Sequence, residues 1–150
     1  LRVERGGRAP APAPAPAAAA IALAVCGAHM SGLPLNHELI HRGGRFLRAC
    51  RTAARYNLYA LPGGPPARPG LVRNADGQGA AIAVEIWALP RTALGDFLAG
   101  VPAPLAIGTV DLEDGSEVKG FLCESHALAG ARDITREGGW REALAAAPAL

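Results

Sequence analysis

The residue best suited to chemistry is His29, which lies in the segment GAHMSG at 27–32. A histidine side chain titrates near neutral pH, so His29 could donate a proton to a bound reactant. Glycines at both ends of the segment allow a sharp turn whose successive backbone N–H groups point inward and bind an anion. A loop histidine that only hydrogen-bonds the backbone is the simpler alternative. The backbone groups expected to line this anion site are those of Gly27, Ala28, Met30 and Ser31.

Polar side chains elsewhere in the chain could join this turn. The Ser31 hydroxyl could bind a carboxylate oxygen or stabilise its own turn, and Asn36 could bind a ligand or serve as a helix N-cap. Tyr59 lies on a strand expected near the turn, so its hydroxyl could reach a ligand. Glu124, at the end of a strand, could orient His29 or hold water, although such a carboxylate is usually exposed.

Arginine is the candidate cation for holding an anionic ligand, because its guanidinium pairs with a carboxylate through two hydrogen bonds. Lys and Arg together number 15, and Lys119 is the single lysine, so most arginines must lie on the solvated surface. Arg51 and Arg73 are the two candidates, and Arg51 is preferred.

Composition excludes several other kinds of site. The formal net charge of +2 does not suggest nucleic-acid binding. Cys26, Cys50 and Cys123 are odd in number and widely spaced, so neither a disulfide framework nor a zinc site is indicated, and a reducing cytoplasm fits best. His37 and His41 lack a carboxylate pattern such as HExxH. We expect no metal and no cofactor.

The N-terminal part of the chain differs from the rest. The sequence APAPAPAP at 9–16 favours extended polyproline II, so residues 1–18 are expected to form a disordered Ala/Pro-rich segment or linker, followed by one domain over 19–147. The apolar run at 17–25 is too short to span a membrane. The chain begins with Leu1, which indicates a fragment or an internally started reading frame.

The elements that must position these residues are short. A strand buried on both faces is expected at 21–25, and a helix at 37–42, capped by Asn36 and ended by two glycines. Alternating and clustered apolar residues predict the remaining elements. These are strands at 46–51, 56–61 and 80–89, a helical stretch at 94–98, a hairpin of strands 107–112 and 118–123, and a last helix with Trp140 and Leu144, capped by Thr135 or Asp133. They predict an α+β fold: a small mixed, mostly antiparallel β-barrel with short peripheral helices.

Several segments resemble the C-terminal domain of allophanate hydrolases. They are GAHMSGLPLN at 27–36, YNLYALPG at 56–63, RPGLVR at 68–73, VEIWALP at 84–90, FLAGVPAPLAIGTVDLEDGSEVKGFLCE at 97–124 and GARDITREGGWR at 130–141. The resemblance implies a γ-glutamylcyclotransferase-like fold that binds an anionic ligand at the turn after the first strand. Ala99, Gly100 and Val101 stand where cyclotransferases carry a catalytic glutamate, so cyclotransferase activity is not expected.

The family implies two functions, which remain alternatives. In full-length relatives an amidase domain deaminates allophanate, and none of that domain is present in this sequence. The C-terminal domain is implied to decarboxylate the amidase product, the small anion N-carboxycarbamate, with His29 as the acid. The alternative is a non-catalytic module for assembly or docking to an amidase domain, a urea carboxylase or a second copy in a homodimer. A non-functional remnant of a longer reading frame is a third interpretation.

Overall fold

The computed structural model describes residues 19–146, which form eight strands and three short helices. The strands are β1 Ala20–Val25, β2 Arg45–Arg51, β3 Tyr56–Ala60, β4 Pro69–Arg73, β5 Ala83–Pro90, β6 Leu105–Asp111, β7 Glu117–Cys123 and β8 Arg132–Asp133. The helices are α1 Asn36–Ile40, α2 Arg91–Ala99 and α3 Trp140–Ala146. The predicted α+β class is confirmed. The linker predicted for 1–18 lies outside the described residues, as does position 147 of the predicted domain.

Five strands form the larger sheet, in the order β2-β5-β1-β7-β6. The central strand β1 is antiparallel to β5 and parallel to β7, and the remaining pairs are antiparallel. Leu23, Ala24 and Val25 are all buried, as expected for a strand covered on both faces. The parallel pairing with β7 places the carboxyl ends of both strands at the same edge of the sheet. The turn that follows β1 therefore lies beside Phe121.

The larger sheet closes on itself at one end. A bridge joins Thr52, just after β2, to Leu112, just after β6, although β2 and β6 are the two outer strands. The N–H of Ala53 donates to the Asp111 carbonyl at 2.9 Å, and the N–H of Glu113 donates to the Arg51 carbonyl at 3.0 Å. This closure gives the larger sheet the small-barrel character that the sequence predicts.

The smaller sheet contains β4, β3 and β8, all antiparallel. The consecutive strands β2 and β3 do not pair with each other: β2 pairs with β5, whereas β3 pairs with β4 across the proline-rich loop. The strand β4 was not predicted, because Pro69 and Gly70 resemble loop residues. Gly70 is needed there, since a Cβ would lie 2.8 Å from the Cys123 sulfur of β7.

Two predicted helix caps are wrong. Asn36 is the first residue of α1, and Leu35 precedes it without a side-chain cap. The last helix begins at Trp140, whereas Asp133 and Thr135 lie earlier, where Asp133 accepts the Thr135 N–H at 2.9 Å. Trp140 is buried as expected of an anchor, while Leu144 is exposed. Within 19–146, no helix is long and apolar enough to cross a membrane.

Candidate functional site

The turn at 27–32 is compact and mostly buried. The N–H of Met30 donates to the Gly27 carbonyl at 3.0 Å, and the N–H of Leu35 donates to the Ala28 carbonyl at 2.9 Å. Gly27 is required by close packing, because a Cβ would lie 2.5 Å from Cδ of Pro69. The turn is thus held against both β4 and the start of α1.

His29 is enclosed by aromatic rings and a carboxylate. Its ring stacks on Phe121 with 5.0 Å between centroids and meets Phe97 edge-on at 5.4 Å. Its Nε2 lies 2.7 Å from a carboxylate oxygen of Glu38 on α1. Asn36 donates to the His29 carbonyl at 2.8 Å. Asn36 therefore braces the histidine backbone rather than capping the helix.

Burial governs the acidity of His29. Removal of the ring from water lowers the pKa of His29 below its usual value, and the Glu38 carboxylate opposes this change by stabilising the imidazolium. The nearby charges of Arg68 and His37 lower the pKa further. With Nε2 committed to Glu38, Nδ1 is the ring nitrogen that has no partner in the described part of the chain.

Beside His29 lies a small cavity of about 20 Å³, which Arg68 also lines. An adjoining cleft of about 430 Å³ shares two of its lining residues, Arg68 and Leu105. The backbone N–H groups of Ala28 and His29 form no hydrogen bond with a described residue. The residues that line this cavity thus include one histidine, one arginine and two residues whose backbone N–H groups are unpaired, a composition that suits a small anion able to accept a proton.

Arg68 was not predicted as a site residue. Its Nε is buried and has no hydrogen-bond partner among the described residues. An unpaired buried guanidinium nitrogen is costly, and Arg68 also lines both cavities, where its charge favours an anion. The only sequence signal for Arg68 is its position at the start of the segment RPGLVR, where the following Pro69 fixes the backbone at the start of β4.

The other half of the turn binds a carboxylate of the protein itself. Glu85 on β5 accepts hydrogen bonds from the N–H and the hydroxyl of Ser31 at 2.8 and 3.0 Å, and from Nε1 of Trp87 at 3.0 Å. Arg141 on α3 donates to Glu85 at 2.9 Å and to the Ser31 carbonyl at 2.6 Å. Burial would raise the pKa of Glu85, but these donors together hold it below its usual value. The expected anion site at Ser31 is therefore occupied by Glu85.

Several predicted residues do not reach His29. Arg51 donates to the Ala81 carbonyl at 3.2 Å, because β2 pairs with β5 and carries it away from the turn. Tyr59 lies on the face of β3 opposite the buried Leu58 and lines neither cavity. Glu124 is exposed and also lines neither cavity. Met30 is buried in the core, so its side chain takes no part either.

Arg73 has a structural role. It forms an ion pair of 2.8 Å with Asp111, and the buried Tyr56 hydroxyl accepts the Asp111 N–H at 2.8 Å. Among residues 19–146, no group of three or more His, Cys, Asp and Glu residues is arranged to hold a metal ion.

The closed five-stranded sheet, with the compact turn that follows its central strand β1, defines the general fold class of the protein. A γ-glutamyl cyclotransferase shares this fold at 12% identity and a TM-score of 0.52, over 76% of this chain and 69% of that chain. Sequence comparison then gives the particular family, described as the allophanate hydrolase C-terminal domain, which matches residues 21–145. The chain belongs to this family.

Individual relatives agree with that assignment. The chain is 42% identical over 121 residues to the urea amidolyase of Saccharomyces cerevisiae, covering 79% of this chain and 7% of that protein. An allophanate hydrolase structure from Kluyveromyces lactis is 43% identical with a TM-score of 0.81, over 83% of this chain and 21% of that one. The E. coli protein c4763 is 40% identical with a TM-score of 0.78, over 86% and 98% of the two chains. The chain thus spans a small part of the curated relatives it matches.

Proposed function

We propose that this domain decarboxylates N-carboxycarbamate, with His29 as the proton donor. In the reaction one C–N bond breaks, carbon dioxide leaves, and the electron pair stays on nitrogen, which takes up one proton to give carbamate. A catalyst must therefore hold two carboxylates and protonate the nitrogen between them. The observation that supports this function is that Ala28, His29 and Arg68 line adjoining cavities, while the N–H groups of Ala28 and His29 have no partner among the described residues.

The size of the cavities suggests how the dianion would lie. A cavity of about 20 Å³ holds roughly one water molecule, so it can receive one carboxylate group at most. That carboxylate would accept from the N–H groups of Ala28 and His29. The second would reach the shared boundary of the two cavities, where Arg68 can pair with it.

The protonation state of His29 fits this role. In the unliganded domain burial favours the neutral ring, since its pKa is lowered. Two negative charges bound beside the ring would favour the imidazolium, so substrate binding itself would promote proton uptake. Glu38 would hold Nε2–H and leave Nδ1–H to be donated to the substrate nitrogen. Glu38 is thus a positioning residue in this proposal.

The thiols fit a reducing cytoplasm, where we place the domain. All three cysteines are free. Burial raises the pKa of Cys26 to about 12, which keeps it a neutral core thiol.

A docking function is the second candidate. Phe97 and Leu98 do not form a continuous exposed apolar patch, because Phe97 is buried against His29 and only Leu98 is exposed. The exposed large apolar side chains near the start of β2 are instead those of Ile40, Phe46 and Leu47. These would favour contact with an amidase domain, a urea carboxylase or a second copy of this chain.

The decisive experiment compares rates of carbon dioxide release. An isolated amidase domain acting on allophanate supplies N-carboxycarbamate, which also decarboxylates unaided, so the rate is measured with and without this protein. We expect the protein to accelerate carbon dioxide release, and we expect His29→Ala to reduce the catalysed rate about 100-fold or more. His126→Ala is the matched control, since His126 is exposed and lines neither cavity. Folded protein that gives no acceleration would overturn the decarboxylase proposal and favour the docking function.

A further inference from the structure

The larger cleft has a composition that a small dianion does not require. Apart from Arg68, its lining side chains carry no charge. The lining residues are Leu61, Pro62, Gly63, Gly64, Pro66, Ala103, Pro104, Leu105, Ala127 and Ala129. Such a surface offers no hydrogen-bonding side chain to a polar ligand, whereas it can remove an apolar group from water.

The size of this cleft is that of a ligand site. Its volume of about 430 Å³ lies within the range of roughly 300–1,000 Å³ found for small-molecule pockets. N-carboxycarbamate has only seven non-hydrogen atoms, so it would leave most of the cleft unfilled. The cleft therefore has room for a second kind of ligand.

Arg68 fixes the polar end of such a ligand. The residue lies where the cleft meets the His29 cavity, and its buried Nε has no hydrogen-bond partner in residues 19–146. Arg68 lines both cavities, so a carboxylate in the cleft can pair with its guanidinium group and neutralise the charge. The other side chains of the wall are apolar, which favours an apolar group for the rest of the ligand.

We infer that this cleft binds monocarboxylates with a compact apolar body, the carboxylate on Arg68 and the body against the proline and alanine wall. The inference goes beyond the proposed decarboxylation, because it requires no chemistry at His29. A ligand held in this way would compete with N-carboxycarbamate for Arg68.

Binding can be tested by NMR titration of the folded chain with 3-phenylpropionate, 3-phenylpropionamide and acetate. We expect 3-phenylpropionate to shift signals from residues 61–68 and 103–105 and to saturate at a concentration at least about tenfold lower than either other compound. The amide lacks the charge and acetate lacks the apolar body. Equal binding of all three compounds, or shifts elsewhere on the domain, would overturn the inference.

Two variants separate the two ends of the ligand. Arg68→Gln should weaken 3-phenylpropionate about tenfold or more, whereas Arg51→Gln, the matched control, should not, since Arg51 lines neither cavity. Ala103→Leu should fill the wall of the cleft and weaken 3-phenylpropionate without changing acetate. Unchanged affinity in Arg68→Gln or in Ala103→Leu contradicts the inference.

The outcome is separable from that of the proposed function. Ala103→Leu should leave the decarboxylation rate unchanged, because Ala103 does not line the His29 cavity. If 3-phenylpropionate binds as expected while N-carboxycarbamate is not decarboxylated, the cleft assignment stands and the decarboxylase proposal fails. If decarboxylation occurs but 3-phenylpropionate does not bind, only the cleft assignment fails.

Discussion

The two halves of the 27–32 turn each contact a carboxylate, and the two carboxylates differ in burial and in the number of hydrogen bonds they accept. Glu85 is buried and accepts from four donor groups on three residues, Ser31, Trp87 and Arg141. Glu38 is more exposed and has one side-chain contact, to His29. The Ser31 half is thus saturated by internal hydrogen bonds, while the His29 half keeps free donors. Internal hydrogen bonds can thus hold one side of a turn in place while the donors on the other side stay available to a ligand.

The largest effect on stability should come from Glu85→Ala. It leaves four donors without an acceptor, and Arg141 without its ion-pair partner, so we expect a loss of about 3–5 kcal/mol in the free energy of unfolding. Urea unfolding of the variant and of the Glu38→Ala control measures it, and the control should lose about 1 kcal/mol or less. Equal losses of unfolding free energy in the two variants would contradict the conclusion that the two halves of the turn differ.

The next largest effect should be kinetic and come from Glu38→Gln. The amide can still hold a ring nitrogen but does not favour the imidazolium, so we expect about a tenfold lower decarboxylation rate. The change in kcat should be larger than the change in KM. The pH profile of kcat should shift toward lower pH, because loss of the carboxylate lowers the pKa of His29. A variant with the wild-type profile would show that Glu38 is only structural.

Arg141→Ala should have a smaller effect. Its side chain is 44% exposed, which weakens the ion pair with Glu85 by solvent screening, and we expect a loss of about 1 kcal/mol. Thermal unfolding can resolve this change. Arg132→Ala is the control, because Arg132 is exposed on β8 and forms no side-chain bond in the described residues. A loss of unfolding free energy as large as that of Glu85→Ala would show that the turn is stabilised mainly by Arg141 on α3 and not by Glu85 on β5.

The smallest expected effect is the pH dependence of stability. The pKa of His29 is lower in the folded than in the unfolded chain, so the unfolded chain binds more protons below about pH 6.5, and stability falls with decreasing pH there. The pKa of Glu85 is also lowered, so its contribution is present at neutral pH and is lost below about pH 4.5. Unfolding from pH 7.5 to about 3 should show two steps, and His29→Gln should remove only the upper one.

Much of the fold could be predicted from residue patterns. Val84 and Ile86 alternate with Glu85 and Trp87 in a clear strand, and the hairpin of β6 and β7 has a plain turn signal at 113–116. The strand β4 was missed because its proline and glycine serve tight packing against β7, which depends on a distant part of the chain. Strand partners such as β2 with β5 are likewise long-range choices that no local pattern contains.

The site was predicted only in part, for the same reason. His29 was found because its turn carries a local glycine signal. Arg68, Glu38 and Glu85 lie 39, 9 and 56 positions away along the sequence, and nothing in their own neighbourhoods marks them as partners of the turn. Among the fourteen arginines, only the arrangement of β4 against the turn selects Arg68 over Arg51.

The central position of β1 has a consequence for synthesis of the chain. Both strands that flank β1, namely β5 and β7, follow it in the sequence, so β1 has no permanent strand partner until β5 has been made and lacks its second partner until β7 has been made. Its apolar side chains remain without cover during that interval, which exposes the nascent chain to aggregation and to chaperone binding. The stacking of His29 on Phe121 can form only after β7 has been made, so the proposed ligand site is assembled late.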